Sequence, residues 1–285
     1  MAIESIQDAQ SLTSPSKPVR SPERPRPGRE MAIMKKRISN LAPWRMSIQI
    51  TPHINTGHCL DLPKDGKECR KVRHRARARF LQTVDTLFPN GFRDKRFLDC
   101  GCNAGGYCFW VRERLAQLAF GFDVREHWIK QARFIKAKRN VAPTNRIQFE
   151  VLNLYDLDSR DLDPFDLVQF RGLFYHLPEP VHGLRIAADH CRDVLMFSSS
   201  FLWDEPDGSL KFEVCQNQPL HGGIENMNWF PTGPGVCADI LKSLGFEDVR
   251  LTKVKQVQKR PDRGRLEIVA AREKGRLNSM WGESI

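Results

Sequence analysis

Asp99, Gly101 and Gly105 fall in the run Phe97-Leu-Asp-Cys-Gly-Cys-Asn-Ala-Gly-Gly106, which spaces an acid and two glycines as Asp-x-Gly-x-x-x-Gly. The apolar residues ahead of the acid suit a buried strand. The glycines let the chain turn sharply into a helix and let a ligand lie against bare backbone. Asp123 stands 18 residues beyond Gly105, at the end of Ala119-Phe-Gly-Phe-Asp123. In nucleotide-type α/β sites an acid about 20 residues after the glycine turn, at the end of the second strand, accepts hydrogen bonds from ribose hydroxyls. The turn lacks the Gly-x-Gly-x-x-Gly that pyrophosphate packing prefers, which tilts the choice away from a dinucleotide.

Other reactive residue types offer less. The eight cysteines include no Cys-x-x-Cys pair, and three of them, Cys100, Cys102 and Cys108, crowd the glycine turn. Reduced thiols are expected. His53, His58, Cys59, Cys69 and His74 match no common zinc spacing, so no metal is expected.

These residues need strands and helices to hold them. Apolar periodicity predicts helices over 68–88, 107–118, 126–139, 180–190 and 235–244, and strands over 96–100, 119–123, 147–152, 165–170, 193–199, 248–254 and 265–271. Strands alternating with helices predict a mostly parallel sheet covered on both faces, with the last two strands as an antiparallel edge pair.

A single main domain suffices for 285 residues. Residues 1–40 are rich in proline and basic side chains and are expected to be a disordered arm. Residues 41–91 form an ordered lead-in and helix, 92–275 the main domain with a lid or substrate loop at 201–234, and 276–285 a tail. No apolar run approaches the roughly 20 residues of a membrane helix, and no secretory leader is evident, so a cytoplasmic location is expected. The net charge of +11 gathers at 67–79 and 130–139, both in expected helices, where solvated faces compete with nucleic-acid or anion binding.

With Leu98-Asp-Cys-Gly-Cys-Asn-Ala-Gly105, Gly121-Phe-Asp123, Phe149-Glu-Val-Leu-Asn-Leu154 and Phe165-Asp-Leu-Val-Gln-Phe-Arg-Gly-Leu-Phe-Tyr-His-Leu177 in that order, residues 92–272 resemble class I S-adenosylmethionine-dependent methyltransferases. Leu173-Phe-Tyr-His-Leu-Pro-Glu-Pro180 and Asn228-Trp-Phe-Pro-Thr-Gly-Pro234 are similar to the branch holding the tRNA wobble-uridine carboxymethyl- and methyltransferase and its relatives. The resemblance implies a Rossmann-like, doubly wound fold and S-adenosyl-L-methionine as cofactor. It places Asp99, Gly101, Asn103 and Gly105 around the cofactor's amino-acid portion and Asp123 on its ribose. Asn153 and Leu154 would frame the adenine, and Arg171 and Gly172 would lie near the sulfonium. In the tRNA enzyme a Lys-Gly-Pro segment ahead of the first strand helps hold a carboxylated cofactor. This chain has none between Trp44 and Arg96, so the plain cofactor is expected.

Tyr175 and His176, beyond the end of a parallel strand, are the expected substrate contacts, with His176 either a base or a structural residue. Trp229 and Phe230 would stack on a planar substrate or anchor their loop, and Arg260 is a loose match to a substrate-binding arginine of the family. The expected reaction is methyl transfer to oxygen or nitrogen of a small or medium-sized, anionic metabolite. The alternatives are a tRNA wobble-uridine methyl- or carboxymethyltransferase gripping phosphates with residues 67–79, and a non-catalytic adaptor of the same fold.

Overall fold

In the computed structural model, which describes residues 27–59, 68–139, 146–214, 224–278 and 281–285, apolar side chains alternate across each parallel strand and sort into two layers. On β3 (Arg96–Cys100), Phe97 packs into one layer and Leu98 and Cys100 into the other. β4 (Leu118–Asp123), β6 (Phe165–Arg171) and β7 (Cys191–Leu202) repeat the pattern with Ala119 against Phe120, Leu167 against Val168, and Val194 against Leu195. Both layers are apolar because helices cover both faces of the sheet.

The first layer takes α2 (Glu68–Leu87), α3 (Gly106–Val111) and α4 (Glu126–Arg139) through Phe80, Phe109 and Ile129. The second takes α5 (Pro180–Asp189) and α6 (Pro234–Ser243) through Leu184 and Leu241. Phe80 is 2% exposed and meets Tyr107 edge-on at 4.9 Å between ring centroids. Burying a side chain of that size contributes roughly 1.5–3 kcal/mol.

With β5 (Ile147–Val151), β10 (Asp248–Val257), β11 (Arg260–Ala271) and β12 (Glu283–Ser284), the central sheet of the described residues runs β12-β10-β11-β7-β6-β3-β4-β5. The five strands from β5 to β7 are parallel, and β11, β10 and β12 follow antiparallel. This is the expected α/β, Rossmann-like architecture. The antiparallel edge goes one strand further than the expected pair, because Glu283 and Ser284 of the supposed tail pair with Leu251 and Arg250.

Two other expectations need correction. Residues 27–40 of the supposed disordered arm form the helix α1 (Pro27–Asn40). Met34, Ile38 and Leu41 give it an apolar stripe that the proline-rich residues before it obscure, and Ile38 is fully buried. Residues 1–26 lie outside the described residues. The stretch 201–234, expected as a lid or loop, contains an antiparallel hairpin of β8 (Leu210–Val214) and β9 (Met227–Pro231), with Phe212 opposite Trp229. Ahead of α2, the short strands β1 (Gln49–Thr51) and β2 (Ile54–Asn55) pair beside α4. No helix of the described residues is long and apolar enough to cross a membrane.

Candidate active site

The parallel strands deliver their functional residues at their C-terminal ends. Gly101 follows β3, Asp123 closes β4, Leu152 follows β5 and Arg171 closes β6. Strand order reverses about β3, whose neighbours are β4 and β6, and open α/β sheets bind ligands at such a reversal. A cleft of about 330 Å³ opens there, and it brings together Gly101, Asn103, Asp123, Asn153, Leu154, Arg171, Gly172, Tyr175 and His176 from the expected set.

Asp123 is fixed by its own main-chain neighbours. The N–H of Asn103 donates to Oδ2 at 3.1 Å and the N–H of Arg125 donates to Oδ1 at 3.0 Å. Burial pushes its carboxyl above the usual range, and these two donors oppose the shift. Beside it Phe122, Val124, Trp128, Leu152 and Leu154 make an apolar wall. Asn153 turns the chain by accepting at Oδ1 from the N–H of Tyr155 at 3.3 Å. The cleft thus offers an oriented carboxylate next to an apolar slot, a combination suited to a sugar diol carrying a flat base.

Asp99 and Gly105 are placed differently from expectation, behind the cleft rather than on its wall. Asp99 is 2% exposed and accepts at Oδ1 from Gln169 Nε2 at 2.8 Å. The two residues are partners across β3 and β6 and face the same side. Burial raises the Asp99 carboxyl to about 7, against the hydrogen bond from Gln169. Gly105 opens α3 at φ 75°, and a Cβ there would sit 2.4 Å from the ring of Phe149. It permits close packing of helix on strand. Gly101, at φ 69°, would bring a Cβ no nearer than 3.5 Å to Leu173, and it remains on the cleft wall.

Cys100, Cys102 and Cys108 are free, buried thiols, and burial pushes each well above its ordinary pKa. Thiolate chemistry at neutral pH is thereby disfavoured.

Tyr175 and His176 lie on a short 3-10 turn, Phe174–His176, with their rings 4.1 Å apart between centroids. Phe230 and Trp229 are outside the cleft lining. Phe230 is 7% exposed and stacks behind Tyr175, and Trp229 packs against Phe212 across the hairpin at 5.3 Å. Of the two roles left open for them, the structure gives anchoring contacts.

Arg260 is exposed where β10 turns into β11, opposite Val257, and is not brought to the cleft. Arg265 is there instead. β11 runs antiparallel to β7, so its early residues lie beside the ligand-binding ends of the parallel strands, with Arg265 opposite Ser200. That signal was available once the last strand was taken as antiparallel. Arg45 also lines the cleft, from the segment between α1 and β1. Gln131 holds this segment by donating to the carbonyls of Leu41 and Pro43 at 2.6 and 2.7 Å. Nothing local in the sequence announces that approach.

Comparison with known proteins adds a family and a fold. Residues 92–255 match the methyltransferase domain family. A ubiquinone biosynthesis O-methyltransferase of Neisseria meningitidis is 28% identical over 127 residues, 45% of this chain and 47% of that enzyme. A tRNA U34 carboxymethyltransferase of Tolumonas auensis is 27% identical over 169 residues, 59% of this chain and 49% of that enzyme. The chain spans about half the length of these curated relatives. Among solved structures, the N-terminal domain of EvdMO1, crystallised in the presence of SAH and D-fucose, is similar with a TM-score of 0.66 at 17% identity, covering 85% of this chain and 97% of that one.

Proposed function

The chain belongs to the methyltransferase domain family, whose members use S-adenosylmethionine, and we propose that it moves a methyl group from that cofactor to oxygen or nitrogen of a small or medium-sized anionic metabolite. The residues of the cleft fit the cofactor. Asp123 presents an oriented carboxylate for a ribose diol, the wall from Phe122 to Leu154 suits adenine, and Gly101, which has no side chain on the cleft wall, leaves backbone approachable for the amino-acid end.

The observation that carries the reading on the acceptor is charge. Arg45, Arg125, Arg171 and Arg265 all line the cleft, with Asp123 the acid among its described residues. Four guanidinium groups on the cleft wall, that of Arg171 held by Glu267 at 2.8 Å, give the cleft a positive character that favours an acidic acceptor.

When bound, the cofactor supplies an electrophilic methyl group: the acceptor's lone pair forms the new bond to carbon while the carbon–sulfur pair returns to sulfur. The protein's part is to hold the acceptor in line and keep water out. His176, on the cleft wall, is the proposed recipient of the acceptor's proton, and Tyr175 beside it is the proposed substrate contact.

Calorimetry with S-adenosylmethionine and S-adenosylhomocysteine tests the cofactor reading. Wild type is expected to bind both, and Asp123→Ala to bind about tenfold or more weakly, the scale of a lost hydrogen bond to a charged group. Absence of binding by wild type overturns it.

A second reading, tRNA wobble-uridine carboxymethyl- or methyltransfer, is supported by the relatives bearing that name. It predicts tRNA affinity that falls steeply with salt. A flat salt response removes it.

A further inference from the structure

A second cavity of about 370 Å³ adjoins the cleft, and the cofactor reading does not use it. On β11, Arg265, Glu267 and Val269 alternate onto one face. Arg265 lines the cleft, whereas Glu267 and Val269 line the second cavity. Arg171 lines both spaces. The two therefore lie side by side along the sheet, with the Arg171 side chain between them.

Its walls combine flat rings with surplus positive charge. Tyr107 and Trp281 supply rings, and Met196, 6% exposed, supplies an apolar floor. The guanidinium carbon of Arg171 lies 5.9 Å from the Tyr107 ring centroid. Arg79, Arg171 and Lys253 face one carboxylate, Glu267. Glu267 Oε2 accepts from Arg171 Nη2 at 2.8 Å, and Oε1 accepts from Lys253 Nζ at 2.9 Å. Burial pushes the Glu267 carboxyl up, but Arg171, Lys253 and Arg79 outweigh it and leave it below the usual range. Among the described lining residues, one negative charge thus answers three positive ones.

We propose that this cavity holds the methyl acceptor, and that the acceptor is a small molecule with a flat aromatic body and an acidic group. The body lies against Tyr107 and Trp281, the acid meets Arg79 and Lys253, and the nucleophilic oxygen or nitrogen reaches past Arg171 toward the cleft. The bond changes are those given above, with the acceptor's proton passing to His176 or to water. This assignment rests on the methyltransferase reading for its chemistry, although the cavity's affinity for such a molecule does not.

The test uses phenyl phosphate as probe, titrated into the full chain saturated with S-adenosylhomocysteine and followed by tryptophan fluorescence and calorimetry. Inorganic phosphate and phenol are separate arms. Phenyl phosphate is expected to bind and to quench fluorescence, and the quench should shrink in Trp281→Phe. Arg79→Gln and Lys253→Gln should each weaken it about tenfold, the scale of one charge-assisted contact, with S-adenosylhomocysteine affinity unchanged. Phosphate or phenol alone should bind more weakly than the joined molecule. Phenyl phosphate that does not bind, or that binds both charge variants as tightly as wild type, overturns the proposal. If S-adenosylhomocysteine itself fails to bind, the cofactor reading falls. The phenyl phosphate titration without it then still decides whether the cavity takes an aromatic acid.

Discussion

The ring of Phe230 lies on the ring of Tyr175, with centroids 5.5 Å apart and planes 18° from parallel. Phe230 is on β9, and the guanidinium carbon of Arg263 on β11 sits 4.2 Å from its centroid. Arg263 Nη2 in turn donates to Glu213 of β8 at 2.6 and 2.7 Å. A chain of contacts thus runs from the hairpin and the antiparallel edge to a residue on the cleft wall, and the hairpin holds Tyr175 from behind.

Phe230→Ala should therefore cost both stability and positioning. Removing a buried phenylalanine ring costs about 3–5 kcal/mol. Denaturant unfolding reads the stability, and the acceptor KM should rise more than the S-adenosylmethionine KM. Phe230→Leu, which keeps an apolar support, should recover most of the stability. Equal effects on the two KM values would mean that Phe230 does not act through Tyr175.

Asp99 makes stability depend on pH. Its carboxyl sits at about 7 in the folded chain, above the unfolded value near 3.9, so between these limits the folded state binds more protons. Its contribution is greatest below the lower limit and is lost as pH rises through about 7. Asp99→Asn, which keeps the shape and an acceptor for Gln169, should raise the melting temperature at pH 8 and raise it less at pH 5. The same difference at both pH values would indicate that the folded carboxyl titrates normally.

Gly105→Ala and Gly101→Ala should separate packing from ligand approach. A Cβ at Gly105 collides with Phe149, so overpacking and left-handed backbone strain should together cost about 2–5 kcal/mol of stability. Gly101 has side-chain room, so its backbone strain of about 1–2 kcal/mol should dominate the stability loss. Its cofactor affinity should fall more than that of Gly105→Ala once both are measured folded. An equal loss of affinity would place Gly101 outside the cofactor contact.

His176→Ala tests the proposed proton acceptor through a pH profile. If His176 takes the acceptor's proton, wild-type turnover should rise with pH across the histidine range, and the variant should lose that limb along with about 100-fold or more of the rate. A variant that is slower with the same profile would make His176 a positioning residue.

Much of this protein is written locally in its chain. Phe97, Leu98 and Cys100 alternate into two layers, so β3 and the two-faced sheet were legible from period and composition. Asp123 was legible because an acid closing the second strand, 18 residues past Gly105, stands where such sites meet ribose hydroxyls. The glycine turn was recognisable too, although only the fold showed that Gly105 serves Phe149 while Gly101 faces the cleft. What tertiary structure alone decided is which distant segments meet. Arg45 reaches the cleft because Gln131 holds the carbonyls of Leu41 and Pro43. Arg265 replaces Arg260 because antiparallel pairing with β7 fixes which end of β11 lies at the site. Phe230 stands behind Tyr175, and Arg79, Lys253 and Trp281 surround one cavity, through packing of elements far apart in the chain. Local periodicity records which face of an element is buried, but not its partner or register, and those decide which side chains meet at the cleft and the second cavity.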